Sequence, residues 1–481
     1  MSDQFKNGLG LTTEETIALA TGLQTGPRNP TSAAIKTGIT NGTTALGGYP
    51  LEKPAKSLYF IEDAMRRRIP RVVNPMGGDT AHWKVITAIN SAKVKAGVAE
   101  GALATAITLA TSPKSAAYKT LNQTNSYTDE AKFYGRQFMD MPQLGMLSTL
   151  QSLMIQEDRY IIGGNQAVLG APTGLTVTDS ATAGSLSAGT DYSYAVSALT
   201  VHGWLNGAKG KVTGVDSPDE TDPVAVVNHG NLGGAITSVD LAWNDVKGAF
   251  AYNVFITLTG GAYKWQKTVF ANGCNLGTIA AGNPCNAADQ TADTLGYSGI
   301  LEQLVAVSSG AYYKSMDNAV LTSDGAGGVV QIEAMLASIW NNYRVSPTMM
   351  LINSQEATSI KKLTVGSSTA NAVRVTISQD DKNKFTAGSA VNTYFSPYTE
   401  QLIEFKTSVH CPPGKIIGIG ETVPYPNAEV PNNLEVELQQ EYYGEIFART
   451  SRVTPVGVTA IGALKVYLPG ACGIISNIKA G

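Results

Sequence analysis

Thr128-Asp129-Glu130-Ala131-Lys132-Phe133-Tyr134 opens a stretch that runs, through FMDMPQLGMLSTLQSLMIQEDRYII, to Gly163-Gly164. Its apolar positions Phe133, Phe138, Met141, Leu144, Leu147, Leu150, Leu153, Met154 and Tyr160-Ile161 recur at helical spacing. Thr128-Asp129-Glu130 supplies a cap and first-turn acids, and the Gly pair a stop. Pro142 and Gly145 interrupt the pattern, so it predicts either two helices or one kinked helix. A helix of this length, apolar along one side, needs a large partner surface. That requirement organises the reading of the segments on either side.

Upstream, the first 55 or so residues are rich in Thr, Gly, Asn and Pro, with one short helix expected at Thr13–Thr21. Such an arm buries little of its own surface and must rest on another part of the chain or on a neighbour. Ser57–Arg68 reads as helical and carries a basic run, Arg66, Arg67 and Arg68, followed by Arg71. A run of this kind is ordinarily a solvated face, and contact with phosphate or an acidic neighbour is the lesser reading. Asn74-Pro75-Met76-Gly77-Gly78-Asp79 is a turn. His82–Asn90 then alternates as a strand, and Ala92–Glu100 is expected to return beside it, giving a two-stranded excursion over about Gly78–Leu109. An isolated hairpin is marginal in water, so it should lean on a partner.

Downstream, the composition changes at Gly170-Ala171-Pro172-Thr173. From there to about Tyr297 there are ten acids (nine Asp, one Glu), five Lys and no Arg, a net −5; the whole chain is −3, so the remainder carries +2. Six strand-like runs (Leu175–Thr178, Tyr192–Thr200, Val224–Val227, Val239–Trp243, Tyr252–Thr259, Trp265–Phe270) are separated by turns, the pattern of a β-sandwich with its own core. Beyond it, helices are expected at Ile300–Tyr313, Gln331–Asn342 and Ser354–Leu363, with a buried strand at Pro347–Asn353. Strands follow at Gln401–Thr407, Lys415–Ile419, Leu434–Tyr442, Ile446–Arg449 and Ala463–Leu468, so the main body is α+β.

The 481 residues are 43% hydrophobic and 15% charged, with 50 glycines, which supports several cored domains and argues against global disorder. The balance of −3 gives no global basic field of the kind a dedicated nucleic-acid binder uses. No apolar run reaches the ~20 residues that span a bilayer, and the N-terminus does not read as a secretion signal, so first folding in a cytoplasm is expected. Cys274, Cys285, Cys411 and Cys472 lack metal-ligand spacing; Cys274 and Cys285 could be bridged in an oxidising compartment but are expected as thiols. No phosphate-binding loop, HExxH or GxSxG motif occurs, and His82, His202, His229 and His410 are scattered. His410 and Cys411 are adjacent, and neighbours on a strand point to opposite faces, so they make no nucleophile–base couple. Asp380-Asp381 reads as a solvated turn. No catalytic, cofactor or metal site is expected, and a non-enzyme that interlocks with copies of itself is.

The order of these segments resembles the tailed-phage major capsid proteins of the Hong Kong 97-like fold, which encapsulin shells share. Gly78-Asp79-Thr80-Ala81-His82-Trp83-Lys84 with Gly97-Val98-Ala99-Glu100-Gly101 resembles that family's extended E-loop. Glu157-Asp158-Arg159-Tyr160-Ile161-Ile162-Gly163-Gly164 resembles the end of its spine helix, and Ser346-Pro347-Thr348-Met349-Met350-Leu351-Ile352-Asn353 the opening of its axial domain. Glu441–Ile475, closing on Tyr467-Leu468-Pro469-Gly470, resembles the return to the peripheral domain.

Residues 170–297 resemble fibronectin-type or other immunoglobulin-like modules, with Tyr192-Ser193-Tyr194-Ala195-Val196 as the Tyr-rich strand and Val239-Asp240-Leu241-Ala242-Trp243 as the Trp strand, in reversed order. The resemblance implies an arm (1–55), E-loop and spine helix (56–169), the all-β insertion (170–297), peripheral domain (298–345 and 441–481) and axial domain (346–440). It implies inter-subunit contacts by an E-loop holding Asp79, Trp83, Lys84, Lys93, Lys95 and Glu100, and an assembly patch of Arg66, Arg67, Arg68 and Arg71.

The expected partners are copies of the chain, as hexamers and pentamers of an icosahedral shell, with a portal protein and decoration or separate scaffolding proteins. Packaged double-stranded DNA would be touched without sequence preference, and no membrane is involved. The shell would form in the host cytoplasm and belong to the virion. Some relatives cross-link Lys to Asn; Lys84, Lys93 and Lys95 could donate, but no Asn and Glu fall into place by motif, so non-covalent assembly is expected. The alternatives are an encapsulin-like compartment, or a tail or adhesin protein that binds surfaces through the sandwich.

Overall fold

A computed structural model describes residues 64–74, 78–88, 98–103, 110–135, 140–167, 169–186, 192–205, 227–229, 237–258, 263–278, 296–325, 327–365, 391–423, 431–449 and 451–480. All of them belong to one unit, Tyr59–Gly481. The expected arm, the helix at Thr13–Thr21, Lys93, Lys95, Cys285 and Asp380-Asp381 lie outside the described residues.

The unit opens with α1 (Ala64–Arg68) and β1 (Arg71–Val73), then β2 (Thr80–Ala88), β3 (Ala110–Ala117) and β4 (Lys119–Thr128). The expected excursion exists as a ribbon in which β2 pairs with β3, from Thr80↔Ala117 to Ala88↔Ala110; of the expected return strand Ala92–Glu100, residues 92–97 lie outside the described residues. Residues 98–103 contain a turn instead, with Ala102 N bonded to Ala99 O at 2.9 Å. The true return strand, ATSPKSAA, was hidden by Pro113, which a two-stranded ribbon tolerates because one edge of each strand is unpaired.

The long helical pattern divides into α2 (Asp129–Gly135) and α3 (Met141–Gly163). Pro142 does not break α3 but sits in its first turn, where a missing N–H costs nothing. Gly164 ends it: its N–H bonds Tyr160 O at 2.9 Å, and a Cβ there would lie 2.2 Å from Tyr297 O, so only glycine fits.

Next come β5 (Thr176–Ser180), β6 (Tyr192–Leu199), α4 (Val201–Leu205), β7 (Val227–His229), β8 (Ser238–Ala242), β9 (Ala251–Leu258), β10 (Lys264–Val269) and β11 (Gly273–Leu276). They form two sheets, β10-β9-β6-β7 and β11-β8-β5, whose apolar residues meet in one core. Tyr192, Tyr194, Val196 and Ala198 of β6 and Tyr252, Val254 and Ile256 of β9 come from one sheet, Val239 and Leu241 of β8 and Leu276 of β11 from the other. This core is not fully separate. Leu199, Val201, Phe250 and Ala251 join the central core beneath α3.

The remainder gives α5 (Ile300–Val305), β12 (Tyr312–Ser315), α6 (Val330–Tyr343), β13 (Met349–Ile352), α7 (Ser354–Val365), β14 (Thr393–Ser396), β15 (Gln401–Thr407), β16 (Ile416–Ile419), β17 (Leu434–Ile446), β18 (Val453–Val466) and β19 (Gly473–Ser476). The helix expected over Ile300–Tyr313 stops at Val305, and its last residues become a strand. The strand expected at Leu434–Tyr442 runs on to Ile446, with Gly444 paired opposite Val458, and Phe447–Arg449, expected within a second strand, lie beyond its end.

Two further sheets result. In β1-β17-β18-β4 the long β17 and β18 run antiparallel, and α3 packs on the sheet through Leu153, Tyr160, Ile161 and Ile162 against Leu121, Val436, Leu438, Val458 and Leu464. In β12-β19-β16-β13-β15-β14, β13 is central and fully buried, and α6 covers it with Ile332, Met335, Leu336 and Ile339. This second sheet departs from the expected boundaries. Residues 312–315 and 473–476, assigned to a peripheral domain, are strands of the same sheet as 349–419. The cause is packing: Ile475 and Ile478 bury against α6 and β13.

Candidate functional site

The basic run is the first place where structure replaces expectation. Glu157, near the end of α3, is fully buried, and its Oε2 accepts Arg66 Nε at 3.0 Å, Arg71 Nη2 at 2.8 Å and the hydroxyl of Tyr442. Both guanidinium groups also lie over the Tyr442 ring, 5.2 and 5.4 Å from its centroid. Arg68 pairs with Glu404 at 2.6 Å and Glu421 at 2.7 Å. Arg67 is exposed. Three members of the expected assembly patch therefore pair with acids of their own chain: Arg66 and Arg71 with buried Glu157, which requires charged donors, and Arg68 with the solvent-accessible Glu404 and Glu421. Asp158, equally buried, accepts the backbone N–H of Met65 at 3.0 Å and of Arg66 at 2.8 Å, and contacts His410 Nδ1 at 2.7 Å. The consecutive acids thus fasten α1 and the 408–411 turn to α3.

His410 and Cys411 lie in a turn, not on the strand expected from sequence. Cys411 is fully buried with its Sγ facing carbonyl oxygens, and burial pushes the thiol far up, away from the nucleophilic thiolate. Cys274, Cys411 and Cys472 are free thiols. Among the described residues no group of three or more His, Cys, Asp or Glu side chains could hold a metal, and no helix is long and apolar enough to cross a membrane.

The ribbon is built outward from its root. Ala81, Trp83, Val85 and Ala116 pack against Ala463 of β18, and the Trp83 indole N–H donates to Val466 O at 3.0 Å. Of the expected E-loop residues, Trp83 thus faces its own chain, whereas Asp79, Lys84 and Glu100 are exposed. At the root, Glu437 Oε1 accepts Asn74 Nδ2 at 2.6 Å and the Tyr118 hydroxyl at 2.5 Å, while Oε2 pairs with Lys465. Glu437 carried no motif. Between Val436 and Leu438 strand alternation puts residue 437 on the opposite face, where an acid is ordinary, so no sequence signal marked it.

Among the described residues, exposed apolar side chains include three groups on the ribbon, the helices and the sheet edge. Leu103, on the described tip of the ribbon, is 97% exposed. Phe133, Tyr134, Leu144 and Leu147 stand out from α2 and the first turns of α3, with Ile446 at the end of β17. Phe395 and Leu402 face each other across β14–β15 at the outer edge of the six-stranded sheet. The helical spacing that suggested a buried stripe on α2 and α3 therefore ends in the core only from Leu153 onward.

A polar joint holds the sandwich to the six-stranded sheet. Asp245, in the turn between β8 and β9, accepts the hydroxyl of Tyr313 and Asn477 Nδ2, the latter at 2.5 Å. Tyr313 also bonds Ser476 Oγ at 2.9 Å, and Asn272 Nδ2 reaches Asp317 at 3.1 Å. Asp317, Asn318 and Asn477 hold φ of 48°, 60° and 57°, left-handed values that Asp and Asn tolerate best after glycine.

No family model matches the chain, and no curated protein matches it. Among solved structures it is similar to the capsid of the native GTA particle, at 8% identity over 94% of this chain and 100% of that one, with a TM-score of 0.42. It is also similar to the capsid of Myoviridae phage XM1 (9% identity, 88% and 94% coverage, TM-score 0.38). A third is the holo-SrpI encapsulin complex of Synechococcus elongatus PCC 7942 (10% identity, 86% and 87% coverage, TM-score 0.37). TM-scores at this level carry no assignment by themselves.

Proposed function

We propose that this chain is the major capsid protein of a tailed bacteriophage, copies of which build the icosahedral shell around packaged double-stranded DNA. The observation that carries the reading is the pairing of a two-stranded ribbon, packed on β18 near its root, with apolar side chains exposed on α2 and α3. A solitary soluble subunit gains nothing from exposing Tyr134, Leu144 and Leu147, whereas a tiled one covers them. The order of ribbon, 23-residue α3, two-sheet insertion and six-stranded sheet supports the same reading through the sequence resemblance stated above.

In this reading β5–β11 form an immunoglobulin-like domain directed outward, since its segment carries −5 while the rest carries +2. The ribbon is the E-loop, with Asp79, Lys84 and Glu100 among the side chains it offers a neighbour. Hexamers and pentamers, a portal, and sequence-independent contact with DNA complete the role.

The test is to express the full chain, purify it and image it by electron microscopy. Closed shells of uniform diameter are expected. A chain that stays a monodisperse monomer at all concentrations and salt conditions overturns the proposal.

A further inference from the structure

We propose that Glu437 is the positioning residue that sets the direction of the β2–β3 ribbon. The ribbon leaves the body through two roots, Asn74 on the way in and Tyr118 on the way out. Both donate to the same oxygen, Glu437 Oε1, at 2.6 and 2.5 Å. The other oxygen pairs with Lys465 of β18, so one side chain ties both roots to the two central strands of the β1-β17-β18-β4 sheet.

Glu437 is 3% exposed, so these contacts are shielded from water. The backbone repeats the tie: Asn74 N–H donates to Leu438 O and Tyr118 N–H to Asp79 O, each at 2.9 Å. Among the described residues the ribbon is a two-stranded sheet, marginal by itself, with Trp83 packed on β18 along one face. A point clamp at the roots therefore governs where the far end sits, since a small rotation at the base becomes a large displacement at Leu103.

The assembly consequence rests on the proposed shell role; the clamp itself does not. Hydrogen exchange on the unassembled full-length chain tests it directly. In Glu437→Ala, protection of β2 and β3 amides is expected to fall roughly tenfold or more, while β13, β16 and α6 keep wild-type protection. Glu437→Gln combined with Lys465→Met keeps an acceptor for both donors without stranding a buried amine, and is expected to restore ribbon protection. If Glu437→Ala fails to fold, Asn74→Ala and Tyr118→Phe each remove one donor and are expected to give the same local loss.

Ribbon protection unchanged in every variant overturns the inference, as does a loss spread evenly over the whole chain. Particle yield is read in parallel. Wild-type chain that forms no shells defeats the proposed function and leaves the exchange result to judge the clamp. Wild-type shells that Glu437→Ala cannot form, with the double variant rescuing them, support both.

Discussion

Glu356 offers a sharp thermodynamic test. It lies in the first turn of α7, is 1% exposed, and its Oε1 accepts the N–H of Gly414 at 2.7 Å while its Oε2 has no hydrogen-bond partner. Burial is the main cause that raises its carboxyl from an ordinary 4.5 to about 7, with the Gly414 bond pulling weakly the other way. Cys411 and Lys415, the other titratable groups felt there, are likewise shifted by burial toward their neutral forms.

A carboxyl raised on folding keeps its proton where the unfolded chain has lost it. Stability therefore falls as pH rises from about 4.5 to about 7 and stays reduced above that range. A shift of roughly 2.5 units at ~1.36 kcal/mol per unit gives about 3 kcal/mol above pH 7. Glu356→Gln keeps the shape and the acceptor while removing the ionisation. It should be more stable than wild type by about 3 kcal/mol at pH 8 and by under ~1 kcal/mol at pH 5. Denaturant unfolding of the unassembled chain at the two pH values measures this. Equal stability at pH 8, or a variant whose advantage is the same at both, refutes the assignment of the penalty to this side chain.

Three other outcomes follow from the geometry. Glu157→Ala leaves Arg66 and Arg71 without their shared carboxylate and should destabilise by about 3–5 kcal/mol in the same unfolding assay. Gly164→Ala pushes a Cβ to 2.2 Å from the backbone oxygen of Tyr297, which cannot yield as a side chain would; a loss at or above ~3 kcal/mol, or insoluble expression, is expected. Phe395→Ser with Leu402→Ser alters an exposed cross-strand pair, so unfolding should move by within about 0.5 kcal/mol while particle yield drops in micrographs.

Periodicity made the apolar-faced elements legible. α6 was expected at Gln331–Asn342 and spans Val330–Tyr343, because Ile332, Met335, Leu336 and Ile339 alternate at helical spacing and are all buried. The all-apolar run Met349–Ile352 likewise announced a central strand. What escaped was polar or broken. β4, KTLNQTNSYT, buries only Leu121 and sits at a sheet edge, so it carries almost no hydrophobic signal. β3 hid behind Pro113.

The candidate site was less legible than the fold, since its parts meet across large sequence separations: Arg71 finds Glu157, and Asn74 and Tyr118 find Glu437. The basic run at Arg66–Arg71 was visible, but its partners were not. Charge in sequence reveals what must be neutralised and not by which residue.

The polar joint at Asp245 bears on how this chain can be engineered. An inserted domain on two slack linkers can be excised or exchanged at its boundaries. Here, removal of residues 170–297 would strip Leu199, Val201 and Phe250 from beneath α3 and take away the Asp245 carboxylate that Tyr313 and Asn477 share. The two sheets β10-β9-β6-β7 and β11-β8-β5 thus share their packing with the rest of the unit. A graft meant to display a foreign domain must retain the turn from Asp245 to Phe250, and whatever it carries there inherits one bearing relative to the body.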